Sequence, residues 1–185
     1  EISYNNLLDI DAAVSLMGDI DDTAIAVLKH NNACGLAIRK DLTEAWHDAL
    51  AGDPVSAFGG IIVSNSIVDR QTAGEIHKIF FEVIIAPGYT KDALQVLQQK
   101  KNRIILIQKE KVTRKMQYRS VLNGVLQQEK DMKIDIREDL KTATEKSPAE
   151  QEVKDMLLAN KIVKHTKSNA IVLVKNQQLL ASGVG

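Results

Sequence analysis

A single cysteine, Cys34, stands among the 185 residues of this chain. One thiol forms no internal disulfide, which points to a reducing cytoplasm. It also removes the Cys-x-x-Cys pair that a zinc deaminase requires, and Asn32 stands where the general-acid glutamate of such an enzyme would follow His30. A structural or catalytic metal site is therefore not expected. Long hydrophobic runs are missing as well. No apolar stretch approaches the roughly 18 residues of a membrane span, and Glu1-Ile2-Ser3-Tyr4-Asn5-Asn6 does not resemble a signal peptide. Excess charge is missing too: Lys plus Arg and Asp plus Glu both number 24. The balance gives no reason to expect nucleic acid or an anionic membrane as a partner. No Gly-Lys-Ser/Thr follows the one Gly-Gly pair, Gly59-Gly60, which excludes a Walker loop there.

What is present suits a soluble globular domain: 44% of residues are apolar and 26% charged. The length suits one domain, or one and a half. The chain lacks an initiator methionine and ends on Leu179-Leu180-Ala181-Ser182-Gly183-Val184-Gly185, which reads as a strand entering a turn. Both ends look cut, so a fragment of a larger protein is expected.

Periodicity predicts helices over 6–17, 41–51, 69–80 and 90–100, with Asp41 and Asp69 placed to open two of them. Short apolar runs at 23–28, 61–64, 83–86 and 103–108 read as strands, the first of a kind buried on both faces in parallel sheets. The alternation over 6–108 predicts an α/β layer fold. Residues 109–147 are polar, weakly periodic and read as a connector, with an extended stretch over 120–128. A capping-box signal at Ser147-Pro148-Ala149-Glu150 starts a helix running to about Lys164, and strands follow at 170–174 and 179–182. The expected organisation is a first α/β unit over 1–108, a connector over 109–147 and the start of a second unit over 148–185. No long repeat is evident. The pairs Lys29-His30 and Lys164-His165 are no sign of duplication, since one follows a strand and the other a helix.

Several positions carry candidate chemistry. The run Ala26-Val27-Leu28 stops at Lys29-His30, before Asn31-Asn32-Ala33-Cys34-Gly35. Open α/β sheets hold ligands at such strand ends. His30 is a ready proton acceptor near neutral pH, and Lys29 can steady developing negative charge. A solvated pair at a loop start gives the same pattern. Cys34 reads as an inert, buried thiol. In Ser56-Ala57-Phe58-Gly59-Gly60 the glycines let a ligand approach and backbone N–H groups can hold an oxyanion; a tight loop with Phe58 in the core is the alternative. Glu82 precedes a strand, where it can accept from ribose hydroxyls. Ala86-Pro87-Gly88-Tyr89 reads as a turn. Lys164, His165 and Lys167 suit a helix C-terminus, and Asn169 offers a donor and an acceptor to an amide ligand. His47 and His77 read as surface or satisfied histidines.

Taken in order, Ser3-Tyr4-Asn5-Asn6, Lys29 to Gly35, Asp53 to Gly60, Ile84 to Tyr89 and Val163 to Ala170 closely resemble the transformylase part of the AICAR transformylase/IMP cyclohydrolase family, across nearly the whole chain. The resemblance implies three-layer α/β/α units of cytidine deaminase-like fold, the second truncated here and without the deaminase zinc. It implies formyl transfer from 10-formyltetrahydrofolate to the 5-amino group of AICAR, no catalytic metal, and a cytoplasmic homodimer with shared active sites. It assigns the family's lysine–histidine pair to Lys29 and His30. Substrate contacts fall on Asn6, Phe58, Gly59, Glu82 and Asn169. Glu82 is a methylene longer than the aspartate of some relatives, and Ala33 stands where many have proline. Two arginine-bearing segments expected at the phosphate would lie outside residues 1–185, as would the cyclohydrolase part, so the fragment alone is expected to be inactive. A non-catalytic purine-nucleotide-binding or subunit-interaction module is the competing reading, and a deaminase the third.

Overall fold

Short polar residues open four of the helices. Ser3 Oγ accepts from the Asn6 N–H at 3.1 Å ahead of α1 (Tyr4–Gly18), and Asp41 does the same for Glu44 at 3.0 Å ahead of α2 (Leu42–Gly52). Asp69 caps α3 (Arg70–His77) and Thr90 caps α4 (Lys91–Leu97). Each such cap is worth about 1 kcal/mol. In α5 (Glu150–Lys164) the cap works from the other side: Glu152 Oε2 accepts from the Ala149 N–H at 2.7 Å. That helix starts two residues later than Ser147 would have capped it. These details come from a computed structural model that describes residues 1–110 and 115–184. Residues 111–114, within the expected connector, and Gly185 lie outside the described residues.

Seven strands form the main sheet: β1 (Ala24–Lys29), β2 (Asn32–Ile38), β3 (Ile61–Ser64), β4 (Val83–Ala86), β5 (Ile104–Ile107), β8 (Ala170–Lys175) and β9 (Gln178–Val184). Their order is β5-β4-β3-β1-β2-β9-β8. β3, β4 and β5 run parallel, each pair joined by a helix. β1 is antiparallel to both β2 and β3. The expected parallel setting of β1 is thus corrected, although β1 is buried on both faces. β2 is the strand the sequence reading lacked. β6 (Met116–Val121) and β7 (Gly124–Glu129) form a separate exposed hairpin where one extended stretch was expected. The fold class is α/β, as expected.

The sheet divides two cores. On one face Ile25, Val27, Ala37, Ile62 and Ile84 pack with Trp46, Ile76 and Leu97 of α2, α3 and α4. On the other, Ala26, Leu28, Leu36 and Val63 pack with Leu16 and Met17 of α1 and Leu158 and Ile162 of α5. Gly35 lets α2 lie close on β2: a Cβ there would sit 2.0 Å from the Ala49 carbonyl oxygen. Among the described residues no helix is long and apolar enough to cross a membrane.

β8 and β9, from the segment assigned above to the start of a second unit, join this same sheet through β2 and β9. The structure also contains a repeat that the sequence hides. The helix–strand–strand series α1, β1, β2 begins and ends each element 146 positions before α5, β8, β9. Both hairpins turn on two residues with positive φ, His30-Asn31 and Asn176-Gln177. Both carry a register shift two pairs in from the turn, at Val27/Leu28 and Leu173/Val174. The order β1-β2-β9-β8 reads the same from either side, which is the mark of a local two-fold relation. Lys29-His30 and Lys164-His165 are not equivalents under it.

Candidate active site

Lys29 and His30 sit at a hairpin tip rather than at the end of a crossover strand. Lys29 pairs with Asn32, which leaves His30 and Asn31 as a two-residue turn with φ of 53° and 66°. Positive φ at both central positions matches the right-handed twist of the flanking strands. It also costs strain in residues that carry a Cβ. Neighbours hold the turn: Asp9 Oδ1 of α1 accepts from the Asn31 N–H at 2.6 Å, and Asn32 Nδ2 donates to the His30 carbonyl at 3.0 Å. His30 is exposed.

The lysine ties this turn to the glycine loop. Lys29 Nζ donates to the Phe58 carbonyl at 2.9 Å. Phe58 is 60% exposed, so the alternative of a core phenylalanine is overturned; its ring instead tilts against Phe80 with centroids 5.3 Å apart. Gly59 takes a φ of 73°, and its N–H donates to the Phe80 carbonyl at 2.9 Å. The expectation that this loop offers free amides to an oxyanion is corrected. The N–H groups of Ser56, Ala57, Phe58, Gly59 and Gly60 all donate within the chain. What the loop offers is an aromatic face and a close backbone. Glu82 follows directly: its N–H donates to the Gly60 carbonyl and its own carbonyl accepts from Ile104. The carboxylate thereby stands at the N-terminal edge of the parallel strands, half-buried.

Asn169 arrives from far along the chain. Asn32 Oδ1 accepts from the Lys167 N–H at 3.0 Å, 135 positions away in sequence, and Ser182 Oγ donates to the Ala33 carbonyl. Asn169 follows two residues after Lys167, exposed, at the start of β8. Just behind it, Asp19 binds Lys164 Nζ at 3.0 Å and His165 Nε2 at 2.6 Å. Burial works against the Asp19 carboxylate, but the hydrogen bonds from His165 and Lys164 outweigh it and hold its pKa below the ordinary value. Burial lowers the pKa of His165, so at pH 7 the neutral ring donates to Asp19. His165 is thus a structural tie between the ends of α1 and α5.

Asn6 lies in the first turn of α1, three residues before Asp9, whose carboxylate holds the His30 turn. Lys29, His30, Phe58, Gly59, Glu82 and Asn169 therefore lie along one edge of the sheet, while Asn6 sits on α1 one helical turn from Asp9. The Ile84-Tyr89 motif does not join them. It lies at the opposite end of β4, where the Tyr89 hydroxyl sits between the carbonyls of Ile84 and Leu106. Burial pushes the Tyr89 phenol far above its ordinary range. Burial first, and Asp53 second, push the Cys34 thiol up to about 11, and its Sγ faces the Val27 carbonyl. His47 approaches Glu75 and His77 approaches Arg103, as satisfied histidines. Among the described residues no group of three or more His, Cys, Asp or Glu could hold a metal ion. Sequence reasoning missed Asp9 and the work of Asn32. Asp9 was legible only as an acid three residues after Asn6.

Chemically, this edge combines an exposed imidazole on a stiff turn, an ammonium beside it, a carboxamide and a carboxylate, with an aromatic pair at one side. A family model described as AICARFT/IMPCHase bienzyme matches residues 1–185. The chain is 64% identical over 185 residues to the bifunctional purine biosynthesis protein PurH of Bacteroides thetaiotaomicron. It is 45% identical over 187 aligned residues to the proteins of the same name from Caldicellulosiruptor saccharolyticus and Bacillus thuringiensis. Each match covers the whole of this chain but 36%, 36% and 37% of the respective relatives.

Proposed function

We infer from membership in the AICARFT/IMPCHase bienzyme family, to which this chain belongs, that its polar edge is the formyl-transfer site of a purine-biosynthetic enzyme. The substrates would be AICAR and 10-formyltetrahydrofolate, with no catalytic metal. The observation that supports this most is the convergence of Lys29-His30, Phe58-Gly59 and Asn169 through the Lys29–Phe58 and Asn32–Lys167 hydrogen bonds. The reading carries with it a homodimer in the cytoplasm and an active site completed by residues outside 1–185, so these residues alone would not turn over.

The chemical difficulty is a weak nucleophile. The 5-amino group is conjugated with its ring, so attack on the formyl carbon needs its proton removed. In the proposed step the amine nitrogen bonds to the formyl carbon as the carbonyl π bond opens, and His30 takes an amine proton. Collapse of the tetrahedral intermediate breaks the bond to the folate nitrogen, which receives a proton in return. Formyl and hydrogen thereby exchange places between the two nitrogens. Lys29 has two N–H bonds beyond the one it gives to Phe58, and these would face the developing oxyanion. Asn169 would orient the carboxamide, Glu82 would accept from ribose hydroxyls, and the Phe58 ring would bound the site. Asn6 and Gly59 would complete the substrate contacts.

General-base help is worth typically about 10²–10⁴-fold. In a full-length bienzyme carrying these residues, His30→Ala is expected to lower formyl transfer by about that factor while AICAR still binds. Near-normal transfer by the variant would remove His30 from the mechanism. Nucleotide binding without turnover in the unaltered full-length protein would favour the non-catalytic module.

A further inference from the structure

Asn32 makes two hydrogen bonds that face in opposite directions. Its Nδ2 donates to the His30 carbonyl and its Oδ1 accepts from the Lys167 N–H, each at 3.0 Å. One side chain therefore joins the turn that carries the imidazole to the segment that carries Asn169. We propose that Asn32 is a positioning residue of the formyl-transfer site, setting the distance and angle between His30 and Asn169. This rests on the functional reading above.

The internal repeat supplies the control. Gln178 occupies the position in the second hairpin that Asn32 occupies in the first. Among the described residues Gln178 makes no side-chain bond to its own turn; its Nε2 reaches away to the Asp48 carbonyl at 2.8 Å. The second turn is held by Asp155 of α5, whose two oxygens accept from the Asn176 and Gln177 N–H groups. A hairpin of this type thus stands without the amide bridge. The first turn has the equivalent helix carboxylate in Asp9, so the turn itself does not require Asn32. What Asn32 adds is the link to Lys167, on the side where the polar edge lies.

The chemistry restricts what can replace it. An amide gives and receives at once, in a fixed orientation. An aspartate is the same shape but only accepts: it keeps Lys167 and sets a carboxylate against the His30 carbonyl. A leucine fills similar space and makes neither bond. Most other direct ties between these distant segments lie at the other end of β2, where the Ile38 N–H donates to the Gln177 carbonyl and Arg39 Nη1 to the Asn176 carbonyl. β2 and β9 share the single register pair Ala37–Gln178, at the far end from the site. Near the site Ser182 to Ala33 supplements the amide, and behind Asn169 the Asp19 bonds to Lys164 and His165 tie α5 to α1 without touching the His30 turn. Loss of the bridge would let the two segments part by a fraction of an ångström to an ångström, and misplacements of that size cost up to about 100-fold in rate.

The test uses the full-length bienzyme, with its cyclohydrolase activity and thermal midpoint as measures of folding. Asn32→Asp and Asn32→Leu are each assayed for formyl transfer, alone and combined with Asn169→Ala. Expected are a 10- to 100-fold loss of kcat/KM for the single variants, unchanged cyclohydrolase activity, and a thermal midpoint within a few degrees. In the Asn169→Ala background the same change at Asn32 costs less than threefold, because its target is gone. Additive effects would overturn the proposal, since they mean that Asn32 does not act through Asn169. So would activity within twofold of the unaltered enzyme, or a loss that tracks a lowered thermal midpoint. If His30→Ala and Asn169→Ala themselves leave formyl transfer intact, the functional reading fails and the proposal falls with it.

Discussion

Asp155 offers a sharp trial of how the second hairpin is held. It is 8% exposed, and its two oxygens accept from consecutive backbone amides, Asn176 at 2.8 Å and Gln177 at 2.7 Å. Oδ1 also accepts from Gln151 Nε2 at 3.0 Å. Asparagine is nearly the same shape, so a space-filling role predicts a neutral Asp155→Asn. The geometry predicts otherwise. One asparagine oxygen can serve one amide, but its NH₂ then faces the other N–H, donor against donor. A hydrogen bond to a charged group is worth about 1.5–3 kcal/mol. Losing one outright and weakening the other should cost about 3 kcal/mol. With a urea slope of about 2 kcal/mol/M, the unfolding midpoint should fall by about 1.5 M. Asp9 is the built-in comparison, since a single bond runs from Asn31 to its Oδ1. Asp9→Asn keeps that acceptor and should shift the midpoint by no more than about 0.5 M. Hydrogen exchange at Asn176 and Gln177 should accelerate in the Asp155 variant alone. An Asp155→Asn protein as stable as Asp9→Asn would refute the two-amide account.

Two further outcomes follow from titrating groups. Cys34, raised from 9.0 to about 11 by burial, should react with a disulfide reagent at pH 8 about 100-fold more slowly than a free thiol, in proportion to its thiolate fraction; labelling within threefold of glutathione would show the thiol to be open. The Asp19–His165 pair should make the chain acid-sensitive. His165 binds its proton less readily when folded than its ordinary 6.5, so its share of stability is present above that value and is lost as pH falls below it. Asp19, lowered from 3.8, contributes above its ordinary range and loses that contribution only in stronger acid. Urea midpoints at pH 7.5, 6.0 and 5.0 should fall with pH, and His165→Gln should flatten the first part of that fall. Equal slopes for the two proteins would sink the assignment.

Much of this architecture was legible because each signal had a local cause. Apolar runs bounded by polar breaks gave β3 and β4 at their observed limits, and short acids before helical periods gave the starts of α2 and α3. β2 escaped because Asn32-Ala33-Cys34-Gly35 has no alternation and a register shift runs through it. The turn before it escaped because His30-Asn31 lacks the glycine that ordinarily marks positive φ. The repeat escaped for a related reason. Across the paired elements only Asp9/Asp155, Ala13/Ala159, Ala24/Ala170, Ile25/Ile171 and Lys29/Lys175 are identical. Backbone geometry, a helix carboxylate and a strand-end lysine persist there while the rest varies. The site residues on the chain's first 82 positions read out as motifs. How Asn169 reaches them did not, because its link is one amide across 135 positions.

That long separation also dictates an order of assembly. α1, β1 and β2 are neighbours in sequence, so the His30 turn closes among local contacts, which form early. The second helix and hairpin must then be brought home across the intervening chain. Closing a loop of 135 positions costs about 4 kcal/mol in chain entropy by the logarithmic law. The same law makes the connector forgiving: doubling its length would add only about 0.6 kcal/mol. Insertions in the exposed hairpin of β6 and β7 should therefore leave the finished sheet almost untouched while slowing its completion. The polar edge is then a late product of folding, built when the last strands dock.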